Sequence, residues 1–505
     1  MRGAVAGGSA GTINAGLYAL RRGGNAVDAA VASTLMAGVA EPLLSGLGGS
    51  GIATVRFGGT VFTVDFFANM PGLQVTQGEP SAMDEVRIDY GPTTQRFLVG
   101  KGSAAVPGLP EGMWSLVERF CRLSMEELAV PAIDAAQQGV EVSAGFERVL
   151  DLLWPILDRS AGVRSLFSLD GQPLRKGQTF RCPALAETLK AFSSDRNFFK
   201  TGPGATEMVN HVTGHSHLSL DDFEYQSTDI RPALAIPYKD STVWVPGVPS
   251  IASLRVASSL LSLSTTTPPE NPVGIEAIER LSHALSQGPS PSLKPFLRDF
   301  FTDGFGDAFV ARLKAMNQSI GRISPGYTTH ISTVDGDGNA VGITHSLGET
   351  AGELAGDSGI LINNFLGEED VNPPHFRRPH GGRLITMCCP AILEQSDGRV
   401  IAFGSGGSSR IPTAIVHGVS YAVDYGWSLP DAVRGPRTHL GNSTLHIESE
   451  GRNEEIMAQA KERWPEHVRF DGPNMFFGGL HTAAVGPDGF TGSGDLRRSG
   501  EYSET

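Results

Sequence analysis

Positive charge is short in this 505-residue chain: 40 lysines and arginines face 54 aspartates and glutamates, the formal charge is −14, and no basic run could track a phosphate backbone. Nucleic acid is therefore not an expected partner. Long apolar runs are missing too, since about 18 consecutive apolar residues, the least a membrane helix needs, occur nowhere. Met1 to Ala10 lacks a basic stretch followed by an apolar one, so neither a membrane partner nor an export signal is expected. Cysteine is scarce. Cys121, Cys182 and the adjacent Cys388 and Cys389 fit neither a disulfide framework nor a CxxC metal site, and the expected location is a reducing cytoplasm. Metal ligands find no motif: His375 and His380 share a Pro/Arg-rich loop without a third ligand, no HExxH occurs, and no metal or cofactor is expected. The 63 glycines and 32 prolines are spread along the chain, which describes a turn-rich globular protein rather than a low-complexity one. Its length suits about three domains or one large α/β unit.

Leu17, Leu20, Val27, Val31 and Leu35 recur at helical spacing, interrupted at Gly23-Gly24-Asn25, which predicts two packed helices between Gly16 and Gly38. A glycine loop, Glu41 to Gly51, then enters strands at Ile52–Phe57 and Val61–Phe67. The loop loosely fits GxGxxG, but a dinucleotide fingerprint needs a strand before it and a helix after, and here the order is reversed. From Pro107 to Lys314 the pattern is mainly helical, for instance Pro110 to Leu123 and Asn271 to Leu285, with a β interruption near Thr242 to Val248. Asn317 to Tyr327 is polar and glycine-containing, so it is expected to be exposed. Beyond it strands and glycine turns dominate, with helices expected near Pro412 to Tyr425 and Glu454 to Arg463.

The segment Thr328 to Ser346 carries the clearest signal. Two β-prone runs flank Asp335-Gly336-Asp337-Gly338-Asn339, a hairpin turn, and symmetry about Asp337 sets Thr328 opposite Ser346. Two hydroxyls then sit side by side just after an exposed loop that could be cut. By alternation His345 faces away from Ser346 and is read as structural, and Asp335 and Asn339 are read as turn formers.

Thr328 to Val341, TTHISTVDGDGNAV, resembles the start of the small subunit of γ-glutamyltranspeptidases, which are N-terminal nucleophile (Ntn) hydrolases. The likeness continues in order through GGNAVDAAVA at Gly23 to Ala32, EPLLSGLGGSG at Glu41 to Gly51, AVPGLPEGM at Ala105 to Met113, SGILINN at Ser358 to Asn364, GSGGSSRI at Gly404 to Ile411 and DAVRGPRTH at Asp431 to His439. The resemblance implies an α/β fold, a four-layer αββα sandwich, made as a precursor that cuts itself before Thr328. The products are an α-rich large chain, residues 1–327, and a small chain, residues 328–505, which together form one structural domain and a heterodimer. Thr328 is then the nucleophile, and its freed α-amino group, with an ordinary pKa of about 7.7 to 8.0, is the base. Gly407 and Ser408 map onto the two backbone donors of the oxyanion hole, with serine replacing the second glycine. Ser346 takes the place of a threonine that hydrogen-bonds the nucleophile.

The substrate clamp departs from the family. Its carboxylate-binding arginine, in a DxRExAP ending, is replaced by Phe67. The asparagine two positions beyond the second hydroxyl is Gly348, the glutamine after Asn-Asn is Phe365, and the serine pair before MxP is Thr386 and Met387, whereas Glu368 keeps an acidic position. Phe67, Phe365 and Met387 are thus expected to make an apolar wall where a zwitterion was held. A small-molecule acyl donor that is not γ-glutamyl follows. Relatives with altered pockets include oxamate-type amidohydrolases and homologues of lincosamide and pyrrolobenzodiazepine pathways that hydrolyse a C–C bond and release an oxalyl fragment. Two rivals remain: a γ-glutamyl hydrolase whose clamp is rebuilt on Arg383 or Arg410, and an inert binding protein on the same fold.

Overall fold

A computed structural model describes residues 2–75, 82–89, 94–286, 327–374, 376–441 and 443–505. The readings for 287–314, for 317–326 and for His375 fall outside these residues.

Two antiparallel sheets lie face to face. The first orders seven strands as Asp229–Pro232, Thr60–Phe66, Ser50–Phe57, Ala340–Ser346, Thr328–Asp335, Gly3–Gly7 and Glu501–Glu504. The second orders six as Leu234–Tyr238, Ser241–Val245, Ala391–Glu394, Val400–Gly406, Gly479–Gly486 and Gly489–Ser493. Ala4, Val334 and Ala340 of the first share a buried cluster with Ile392, Ala402 and Ala483 of the second. On the outer face of the first sheet, helices Ala10–Arg21 and Ala26–Ala40 pack through Val5, Ile13, Leu17 and Ala29, and through Val31 against Val341. Helices Ile251–Ser264 and Ile411–Val419 cover the second sheet through Leu254 and Ile415 against Ile401 and Phe403. The result is the αββα sandwich, in which each sheet buries one face on its partner and the other on helices.

Local chemistry accounts for the elements around the hairpin. Gly23, at φ +91°, ends the first helix, and Asn25 starts the second as a capping box: its side chain accepts from Val27 and Asp28 N–H, and the Asp28 carboxylate accepts from Asn25 N–H. Asp335 ties this helix to the hairpin, accepting from Ala26 N–H at 2.9 Å as well as from the N–H groups of Asp337 and Asn339 inside the turn. The ladder pairs Thr328 with Ser346, the register that turn symmetry requires.

Several boundaries shift. The helix expected from Pro110 runs Leu109–Phe120, the one from Asn271 starts at Ile275, and the one from Pro412 gives way after Val419 to a wider turn at Ser420–Asp424. Tyr327 corrects the expectation of an exposed linker end. It is 1% exposed because its ring packs into the large cluster under the first sheet.

Candidate active site

Thr328 opens its strand and is 7% exposed. Its neighbour anchors it: Thr329 Oγ1 donates to Glu41 Oε2 at 2.7 Å, and Thr12 Oγ1 donates to Glu41 Oε1 at 2.6 Å, so the end of the buried helix grips the strand start. Burial raises the Glu41 pKa despite these bonds. Alternation turns Thr328 to the side taken by His330, whose ring lies against Gly404 of the second sheet. A Cβ at Gly406 would overlap the Thr328 carbonyl oxygen, so glycine alone lets that strand end reach Thr328. Arg498 Nη1 donates to the same carbonyl at 3.4 Å, and burial pulls the Arg498 pKa down to about 10.

Ser346 Oγ donates at 2.7 Å to the carbonyl of Tyr327, the bond expected to break, and accepts from Gly348 N–H at 2.8 Å. In the continuous chain this hydroxyl thus serves the carbonyl that precedes Thr328. Two left-handed residues follow the Val400–Gly406 strand: Gly407 at φ +122° and Ser408 at φ +46°. Ser408 Oγ donates to the Asp370 carboxylate. Ser346 thus lies opposite Thr328 in the hairpin, and this turn begins directly after Gly406, which abuts the Thr328 carbonyl.

Phe67 and Phe365 meet. Both are buried, their ring centroids are 5.3 Å apart, and they pack with Ile52, Met70, Leu366 and Cys388. Met387 does not join them. Successive residues of an extended segment point to opposite sides, so Cys388 enters the Phe67 cluster while Met387 packs under helix Ile251–Ser264 in the second-sheet core. Thr386 Oγ1 accepts from Cys388 N–H at 3.0 Å and braces that segment. The apolar wall is thus two phenylalanines, not three side chains.

Gly348, at φ +72°, leaves room for the Glu368 carboxyl and the Asn364 amide, because a Cβ there would overlap Glu368 Oε1 and Asn364 Oδ1. Glu368 Oε1 and Glu349 Oε1 are both buried without a hydrogen-bond partner. Burial, partly offset by Asn364 and reinforced by Asp370, pushes Glu349 up to about 8. Burial and then the charges of Glu349 and Asp370 raise Glu368. Of the two cations that could rebuild a carboxylate site, Arg383 donates to the Phe67 and Ser227 carbonyls and to Asn69, and Arg410 donates to Ser409 and the Phe476 carbonyl. His345 is buried, its Nδ1 2.6 Å from Ser45 Oγ, and burial lowers its pKa to about 3. No group of three or more His, Cys, Asp or Glu suited to a metal ion occurs among the described residues, and no described helix is long and apolar enough to cross a membrane.

The sequence profile of the gamma-glutamyltranspeptidases matches residues 12–288 and 295–505. The chain belongs to this family. It is 25% identical over 508 residues to the acylase ACY 1 proenzyme of Pseudomonas sp. (strain V22), with 96% of this chain and 90% of that protein covered. It is also 25% identical to the glutathione hydrolase proenzyme of Escherichia coli (strain K12), with 87% and 81% covered. The crystal structure of a cephalosporin acylase from Bacillus halodurans superposes with a TM-score of 0.81 at 20% identity, covering 99% of this chain and 95% of that one. The chain is an enzyme of the Ntn hydrolase type with the family's αββα fold.

Four residues of this site went unread in the sequence. Tyr327 belonged to a polar stretch, Glu349 followed a glycine, Asp370 ended an acidic run, and Arg498 lay far away in a basic pair. Only the Glu368-Glu369-Asp370 run, an odd concentration of charge beside an apolar segment, offered a signal.

Proposed function

We propose that this family member cuts itself before Thr328 and then hydrolyses a small amide-type acyl donor, other than a γ-glutamyl compound, through an acyl-enzyme on Thr328. The Thr328 hydroxyl attacks the Tyr327 carbonyl carbon, whose oxygen already receives the Ser346 hydroxyl, and the C–N bond gives way to an ester that water opens. The new α-amino group then accepts the hydroxyl proton in each later turnover. Backbone N–H groups of Gly407 and Ser408 receive the oxyanion, after which the amine leaves and water releases the acid.

Specificity rests on the contact between Phe67 and Phe365, 5.3 Å between centroids, at the positions where the family holds a carboxylate and an ammonium. A free carboxylate set against these rings would lose several kcal/mol, an order-of-magnitude figure, relative to one paired with arginine. The Arg383 and Arg410 guanidinium groups are already engaged by the bonds above, Arg383 on the Phe67 carbonyl itself, which argues against a rebuilt clamp. An acylase name among the relatives agrees with cleavage of an acyl group. Hydrolysis of a C–C bond with release of an oxalyl-type fragment would use the same attack, with a stabilised carbanion leaving in place of the amine. The test is a panel of aliphatic, aromatic, oxalyl and γ-glutamyl anilides, with the small chain weighed for the trapped acyl group. Preference for uncharged acyl groups supports the reading, and preference for γ-glutamyl anilide overturns it.

A further inference from the structure

We infer that Asp370 is a positioning residue of the oxyanion turn, acting through the Ser408 side chain; this rests on the reading that Gly407 and Ser408 supply the backbone donors. A residue with a Cβ resists φ +46°, and at such a position surrounding structure, here a side-chain hydrogen bond, must hold it. Ser408 has that bond, from its hydroxyl to the Asp370 carboxylate. The bond commits the hydroxyl to Asp370.

Asp370 can serve as an anchor because its own turn is fixed. Val371 and Asn372 N–H donate to the Glu368 carbonyl at 3.1 and 2.8 Å, and Asn372 Nδ2 donates to the Leu366 carbonyl at 2.9 Å. Val371 packs into the same cluster as Phe67 and Phe365. The apolar cluster at the altered clamp is thereby linked to the geometry of the turn. Glycine at position 408 would need no such tether, and the pair Ser408 and Asp370 works as one device.

Asp370 also places a negative charge near Glu349 and Glu368, so its removal alone would mix two effects. A double-mutant cycle separates them. The probe is 4-nitrophenyl acetate on the processed two-chain protein: Thr328 Oγ attacks the ester carbonyl, its proton passes to the α-amino group, the ester C–O bond breaks and 4-nitrophenolate leaves. Nitrophenolate release gives the rate, and peptide mapping locates one acetyl group on Thr328. Asp370→Ala is expected to slow acylation about 10 to 100-fold, a fraction of the loss of a whole oxyanion donor, and Asp370→Asn, which keeps an acceptor oxygen, to recover most of it. In a Ser408→Gly background, Asp370→Ala should change the rate by less than about 2-fold. Should Asp370→Ala fail to fold, Ser408→Ala cuts the tether from the other end and should show the same loss. An equal loss from Asp370→Ala in both backgrounds, or no loss in either, overturns the tether while leaving Thr328 in place. Wild-type protein acetylated elsewhere than Thr328 overturns the nucleophile assignment and the tether with it.

Discussion

Replacing Ser346 by alanine removes one oxygen with two partners, the Tyr327 carbonyl at 2.7 Å and Gly348 N–H at 2.8 Å. The first bond strengthens as the carbonyl becomes tetrahedral and its oxygen gains charge. Losing one such positioned donor slows a reaction by roughly 10 to 1,000-fold, or about 1.4 to 4 kcal/mol in the barrier. The second bond belongs to the ground state. Leaving a buried N–H unpaired costs about 1 to 3 kcal/mol of folding stability, enough to lower Tm without unfolding a large domain. Ser346→Ala should therefore accumulate uncut chain over a time course while thermal unfolding stays cooperative. Ser346→Thr keeps the hydroxyl and should be far milder. The assay is densitometry of a denaturing gel against time, with calorimetry on the same samples. Processing and turnover by Ser346→Ala at wild-type rates would refute a role for the facing hydroxyl.

Gly406→Ala would set a methyl on the Thr328 carbonyl oxygen, and because that obstacle is backbone, processing should fall at least about 100-fold with a stability loss of roughly 1 to 3 kcal/mol; a fully processed variant would show that the strand end does not abut Thr328. Glu349 holds its proton up to about pH 8 in the fold and to about pH 4.3 in the unfolded chain. The native state thus binds more protons between these values, stability falls as pH rises through the window, and the slope ends above the folded pKa. Glu349→Gln removes that slope, so its Tm advantage over wild type should widen from about pH 5 to about pH 8, and a pH-independent difference would contradict the buried, protonated acid. For glutathione and a γ-glutamyl anilide, kcat/KM should lie about 100 to 10,000-fold below that of an enzyme with an intact clamp, and Phe67→Arg alone should not restore it, because Phe365 and Gly348 still leave the ammonium unanswered. Efficiency matching an ordinary transpeptidase would remove the case for an altered pocket.

What could be read from the sequence was what short-range chemistry dictates. The turn from Asp335 to Asn339 set the hairpin register because both flanking runs have period two and the turn is symmetric. The Gly23-Gly24-Asn25 break separated the first two helices for the same local reason. The strand Gly3–Gly7 was not readable: GAVAG is buried on both faces, so it has no alternation, and its partners lie in the Thr328–Asp335 strand and at the C-terminus. The clamp substitutions at Phe67 and Phe365 were legible as positions, whereas their contact is a tertiary fact. Met387 was misassigned to the same wall because a motif position says nothing of which face of an extended segment a residue takes. Arg498 and Asp370 reach Thr328 and its flanking turn only through folding, and no spacing in the chain predicts them.

The most direct test of the account is the N-terminal sequence and intact mass of each chain in purified wild-type protein, beside Thr328→Ala. The account predicts two wild-type chains, the smaller beginning Thr328-Thr329-His330, and one uncut chain for the variant. A wild-type protein that stays in one piece and turns over acyl donors, or a cut at any other bond, would contradict it.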